Sequence, residues 1–82
     1  MNLHYTEHAR QRMAKRQLQS EWVERTVNNP ARIEPDAVDS SLEHRLDIVP
    51  ELANRVPRVI VSKAEQRRVI TVHLDRKMKG QL

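Results

Sequence analysis

The chain has 82 residues, enough for one domain with one core but not for two. It has no cysteine, no phenylalanine and a single glycine, Gly80, which excludes a disulfide framework, a thiolate metal site, a Gly-rich phosphate loop and a dinucleotide fingerprint. Its net charge is +4 with a pI near 10.1, and no apolar run approaches the roughly 20 residues needed to span a bilayer.

The core must come from Val, Ile, Leu, Met and Ala, with Trp22 as the one large aromatic anchor. Folding at this size hides only about 60% of the surface of the unfolded chain. The expectation is therefore a marginal monomer, or one steadied by a partner or by homodimerisation. The opening MNLHYTEHAR passes directly into polar, patterned sequence with no signal-peptide core, so the protein is expected in the cytoplasm and away from membranes.

Asn2 to Tyr5 reads as a short edge strand. Thr6 is a good N-cap, and Glu7 sits in the first turn where the helix dipole favours a carboxylate. A helix is predicted over about 6–16, with Ala9 and Met13 on its buried side and His8, Arg12 and Arg16 along a neighbouring stripe. Gln17 and Leu18 break the pattern. A second helix follows over about 20–29, capped by Ser20, with Trp22, Val23, Thr26 and Val27 as its apolar stripe and Pro30 ending it.

After Pro30 the period changes from helical to alternating. Strands are predicted at about 31–35, 42–49, 56–63 and 67–75, with a basic tail over 76–82. The last two runs are joined by a tight link near Ala64–Gln66 that lacks the usual Gly or Asn. The fold class is thus α+β: a helical hairpin packed on one face of a small antiparallel sheet of three to four strands. If Leu46 and Ile48, with Ile70, Val72 and Leu74, face the helices, then Arg45 and His73 point together to the open face. A one-residue bulge would invert that assignment.

Charge is unevenly spread. Residues 1–32 carry +3, residues 33–53 carry −5 and residues 54–82 carry +6. Eleven of the 15 basic residues are arginine, whose planar fork matches phosphate oxygens. Such a chain suits RNA or an acidic protein partner, though a plain solvated surface has the same composition.

No paired carboxylates, nucleophile elbow or cysteine nucleophile is present. His4 and His8 are four apart but straddle the helix start, so neither a metal site nor a cofactor is expected. Metal-independent cleavage of RNA asks less of a protein: a base for the 2′-hydroxyl, an acid for the leaving oxygen and arginine for the charged phosphorane. His73, Arg45, Arg76, His8 and Arg12 are of the right types. His44, alternating with Leu46 and Ile48, reads as a buried structural histidine. With only Tyr5 and Trp22 available, recognition by base stacking has little support.

HYTEHARQRM with its following KR, SEWVERTVNNP and RVITVHLDRKMKG together resemble a bacterial family classed as a domain of unknown function, DUF4258. The likeness runs over nearly the whole chain. Many members have Arg-Gly-Ile where this chain has Arg16-Gln17-Leu18. More distantly, the chain is similar to the RelE-like and BrnT-like toxins of toxin–antitoxin pairs. That resemblance implies a RelE-like helix-then-sheet domain, basic on one face, that cuts RNA without metal and is held inactive by an antitoxin. Carried over by position, its candidates are His8, Arg12 and Arg16, then His44 and Arg45, then Asp75 and Arg76, with Lys77 and Lys79 as further RNA-binding groups. His73 rests on the alternation alone, since relatives tend to carry an aromatic residue there.

Two functions follow. One is an RNA-cleaving or ribosome-directed toxin-like domain paired with an acidic antitoxin-like protein. The other is a non-catalytic module that binds an acidic partner or RNA through the same face.

Overall fold

The computed structural model describes residues 3–82. In chain order the elements are β1 (His4–Tyr5), α1 (Glu7–Lys15), α2 (Ser20–Asn28), β2 (Arg32–Pro35), β3 (Leu42–Leu46), β4 (Pro57–Ser62) and β5 (Arg68–Leu74). Short 3₁₀ turns at Pro50–Leu52 and Arg76–Met78 follow β3 and β5. The strands form one sheet in the order β1-β5-β4-β3-β2.

The α+β class and the hairpin of helices on a sheet agree with the sequence reading, but among the described residues the sheet has five strands where three to four were expected. It is also mixed, because β1 runs parallel to β5. Asn2, assigned to the same edge strand, lies outside the described residues. Thr6 ties this corner together. Its hydroxyl accepts the Ala9 N–H at 3.0 Å, capping α1, and donates to the Ile70 carbonyl at 2.7 Å, pinning α1 to β5.

Helix α1 ends in a Schellman arrangement: Leu18 N–H reaches the Met13 carbonyl at 2.8 Å and Gln17 N–H the Ala14 carbonyl at 3.2 Å. That closure requires Gln17 at φ 55°, the left-handed region where glycine is at ease. It also drives Leu18 into the core, where it is 6% exposed. Ser20 is not the cap of α2. Gln19 occupies that position without a side-chain bond, and Ser20 is the first helical residue.

Ala9, Leu18, Val23 and Val27 from the helical layer pack on Val59, Val61, Val69 and Val72 of the sheet. Val69 and Val72 are three apart, so strict alternation would place them on opposite faces. A register shift at Ile60/Val61 supplies the extra residue that turns both inward.

The alternation within β3 is as expected, but its sense is reversed. Cross-strand register aligns Ile33, Arg45, Val59 and Val72 on the helix side, and Arg32, Leu46, Arg58 and His73 on the other. β3 also ends at Leu46 rather than at residue 49, and Val49 instead bridges to Arg55. Leu46 is fully buried yet outside the main core cluster. At the rim of the helical layer, a long arginine can lay its stem on apolar surface and keep its head on polar groups. Arg45 takes that place, so the apolar residue of the pair is not the one facing the helices.

Candidate functional site

The open face of the sheet carries a chain of polar side chains centred on Arg58. Its Nη1 donates to Glu34 Oε1 at 2.9 Å and to His44 Nδ1 at 2.8 Å. Its Nε and Nη2 lie 2.9 and 2.8 Å from Asp75 Oδ2. Since arginine can only donate, His44 Nδ1 must accept, which leaves Nε2–H to donate to Asp36 Oδ1 at 2.7 Å. Asp36 also accepts the Asp39 and Val38 amides. These backbone bonds, led by Asp39 and joined by His44, hold its pKa down to about 2. His44 is 16% exposed and hydrogen-bonded on both ring nitrogens, in keeping with a structural histidine.

Beside this network opens a cleft of about 390 Å³. Arg16 from the end of α1, Arg55 from the β3–β4 connection, and Arg76 and Lys79 from the C-terminal turn surround it, with His73 and Asp75 on its wall. Three backbone features place those groups. The left-handed turn at Gln17 stops α1 just beyond Arg16. Ala53 and Asn54, at φ 56° and 63°, reverse the chain before Arg55. The Asp75 carboxylate accepts the Lys77 N–H at 3.0 Å and so caps the turn carrying Arg76.

His73 stands directly opposite Arg58 in the β4–β5 register. Desolvation lowers its pKa from the ordinary value, and the Arg58 charge adds to the effect; Asp75 opposes it, while Arg12 contributes a smaller lowering. Burial and the Arg58 charge both act against the protonated ring, which stands among cations. The Asp75 carboxyl is held below its usual range against a desolvation penalty, by its bonds to Arg58 and to the Lys77 and Met78 amides.

The acidic middle segment contributes no residue to the cleft lining, and its carboxylates are engaged elsewhere in the fold. Glu34 pairs with Arg32 and Arg58, Asp36 with His44, Glu43 with Arg45 and Arg67, and Glu51 with Arg25. Asp39 binds the Ser41 amide and hydroxyl, and Asp47 accepts the Ile48 amide. Of the 15 basic residues, only Arg25, Arg32, Arg45, Arg58 and Arg67 form ion pairs with carboxylates among the described residues. Arg16, Arg55, Arg76 and Lys79 form none, and all four line the cleft.

The residues singled out from sequence divide accordingly. Arg16, His73, Asp75, Arg76 and Lys79 meet at the cleft. Arg12 is half-buried on α1, near enough for its charge to act on His73. His8 and Lys77 are exposed and do not line the cleft. Arg45 does not share a face with His73. Its Nη1 donates to the Val27 carbonyl at 2.7 Å and its Nε to Glu43 at 2.6 Å, so it closes the C-terminal end of α2. Sequence reasoning missed Arg55 and Arg58. Arg58 had a signal, being the charged residue inside the β-branched run VPRVIVSK and on the polar side of its alternation. Arg55 had none, since its direction depends on the two left-handed residues before it.

Fold and site together define a small α+β domain with a basic, histidine-bearing cleft at one end of its sheet. The family model of the domain of unknown function DUF4258 matches residues 5–73, and the chain belongs to that family. No curated protein and no solved structure shows a significant match to it. Among the described residues no helix is long and apolar enough to cross a membrane, and no group of three or more His, Asp or Glu could hold a metal ion.

Proposed function

We propose that this domain is a toxin-like RNA-interacting protein that takes an RNA phosphodiester into the cleft between Arg16, Arg55, Arg76 and Lys79. The observation that carries the reading is the convergence at one cleft, beside His73, of four cations that have no carboxylate partner among the described residues. Unpaired arginines gathered at one place raise the local anion potential and offer fork-shaped donors to phosphate oxygens.

In a cleaving version, the 2′-oxygen attacks phosphorus and the P–O5′ bond breaks, leaving a 2′,3′-cyclic phosphate. His73 takes the 2′-hydroxyl proton, water protonates the departing 5′-oxygen, and the arginines hold the charge on the phosphorane. One observation favours binding without cutting. Among the described residues the only carboxyl lining the cleft is Asp75, which Arg58 holds ionised and which therefore supplies no acid.

The test is incubation of the purified protein with labelled RNA at low salt in EDTA, beside an Arg16→Ala/Arg76→Ala variant. Cleavage by the wild type alone supports a metal-independent endoribonuclease of the toxin–antitoxin kind. Salt-sensitive binding without cleavage supports an RNA-binding module. If the wild type neither binds nor cuts free RNA or ribosomes, the RNA reading fails, and an acidic antitoxin-like protein becomes the ligand to seek.

A further inference from the structure

Arg58 does not line the cleft, yet it is bonded to Asp75, which does. All three guanidinium nitrogens are engaged and its side chain is only 14% exposed. On one side, Asp36 holds His44, and His44 with Glu34 holds Nη1. On the other, Nε and Nη2 close on a single oxygen of Asp75, leaving Asp75 Oδ1 to cap the Lys77 amide. Four elements are thereby tied across the open face: the β2 end, β3, β4 and the C-terminal turn that follows β5. The last of these delivers Arg76 and Lys79 to the cleft, and Arg58 faces His73 across the β4–β5 ladder.

We infer that Arg58 is the positioning residue of the cleft, fixing Asp75 and through it the turn that presents Arg76 and Lys79, with Asp36, His44 and Glu34 as its rear support. The assignment rests on the reading of the cleft as an RNA-phosphate site. A surface ion pair would need only a positive charge at this position. A positioning role needs the fork, because lysine cannot bond Asp75, Glu34 and His44 at once in this geometry.

The test uses the full chain with two variants, Arg58→Lys and Asp75→Ala, each confirmed as folded by circular dichroism and thermal melting. Arg58→Lys conserves net charge. Asp75→Ala removes a negative charge from the cleft, so charge alone would tighten RNA binding. Positioning predicts instead that both variants bind a labelled RNA oligonucleotide about tenfold more weakly than wild type, as expected when one charge-assisted hydrogen bond to the RNA is no longer made. Two further readouts need no RNA. The Lys77 amide should exchange faster in both variants, and the His73 ring titration, followed by NMR, should move in Arg58→Lys.

Unchanged binding by Arg58→Lys, or tighter binding by Asp75→Ala, with Lys77 and His73 unaltered, overturns the inference. If wild type binds no RNA while Arg58→Lys still frees Lys77 and shifts His73, the RNA reading falls and the positioning role stands. Should Asp75→Ala fail to fold, Arg58→Lys decides the matter by itself.

Discussion

The fold uses arginine in two opposite ways. On the helix side Arg45 is 13% exposed, bonded to Glu43 and to the Val27 carbonyl, beside a core of valines. At the cleft Arg16, Arg55 and Arg76 have no carboxylate partner among the described residues. The first kind of charge is stabilising because it is satisfied; the second is available to a ligand because it is not. Net charge cannot separate the two, since a balanced ion pair and a distant unpaired couple sum alike.

The two kinds of arginine are distinct only if stability and binding can be lost separately. Arg16→Ala/Arg76→Ala should leave the melting temperature nearly unchanged, as exposed surface substitutions do to within about 0.5 kcal/mol. RNA affinity should fall about a hundredfold or more, at roughly tenfold per charge-assisted hydrogen bond. The slope of log affinity against log salt should flatten by about 0.7 for each phosphate that is no longer neutralised. A large drop in melting temperature would show that these cations are structural after all.

Arg45→Ala should do the reverse. It orphans the Val27 carbonyl and leaves the half-buried Glu43 with only Arg67, at 3.7 Å. A destabilisation of about 2 kcal/mol is expected, read as a melting temperature lower by roughly 10 °C. RNA affinity, measured below the transition, should change less than about threefold. A collapse of affinity at unchanged stability would place Arg45 in the site.

A smaller effect should appear on acidification. Asp36 titrates at about 2 in the fold, below the ordinary value of about 3.9 in an unfolded chain. A carboxylate with a depressed pKa contributes stability above the unfolded value and loses it as pH falls through the folded one. Stability should therefore decline between about pH 4 and pH 2, and Asp36→Asn should flatten that part of the curve in acid denaturation followed by circular dichroism. His73, also depressed, works in the same direction nearer its ordinary pKa, because the unfolded chain binds its proton more readily. An unaltered acid limb in Asp36→Asn would detach the Asp36–His44 bond from the stability of the open face.

The helices, the late strands and the capping Thr6 are legible because each is announced locally, by period, by proline or by a cap residue. β3 departs from its sequence reading in the one respect that matters for function. Its apolar and polar residues alternate as expected, but which set faces the helices is decided by neighbours in space. The Val27 carbonyl that attracts Arg45 and the bulge at Ile60/Val61 leave no mark in the LEHRL segment itself. The cleft is half legible for a similar reason. Arg76 and Lys79 sit in one basic tail directly after Asp75, whereas Arg55 arrives by a turn and Arg58 acts through other side chains. The acidic middle segment reads as an obstacle to RNA until its partners are visible.

The smallest effect is expected at the turn that stops α1 beside the cleft. Gln17 adopts φ 55° to close the Schellman bonds from Leu18 and Gln17, and a side chain in the left-handed region costs about 1–2 kcal/mol relative to right-handed backbone. Glycine meets no such penalty but has more freedom to lose on folding, offsetting about 0.5–1 kcal/mol of the gain. Gln17→Gly should thus stabilise the fold by about 0.5–1 kcal/mol, a rise of a few degrees in melting temperature. Because Arg16 immediately precedes the turn and lines the cleft, RNA affinity should stay within about twofold if the backbone path is retained. Stabilisation with unchanged affinity would mean that the turn serves only to end the helix and bury Leu18. Stabilisation with weakened affinity would mean that the strained glutamine fixes the direction of Arg16, and the division between structural and binding arginines would then reach into the backbone at Gln17.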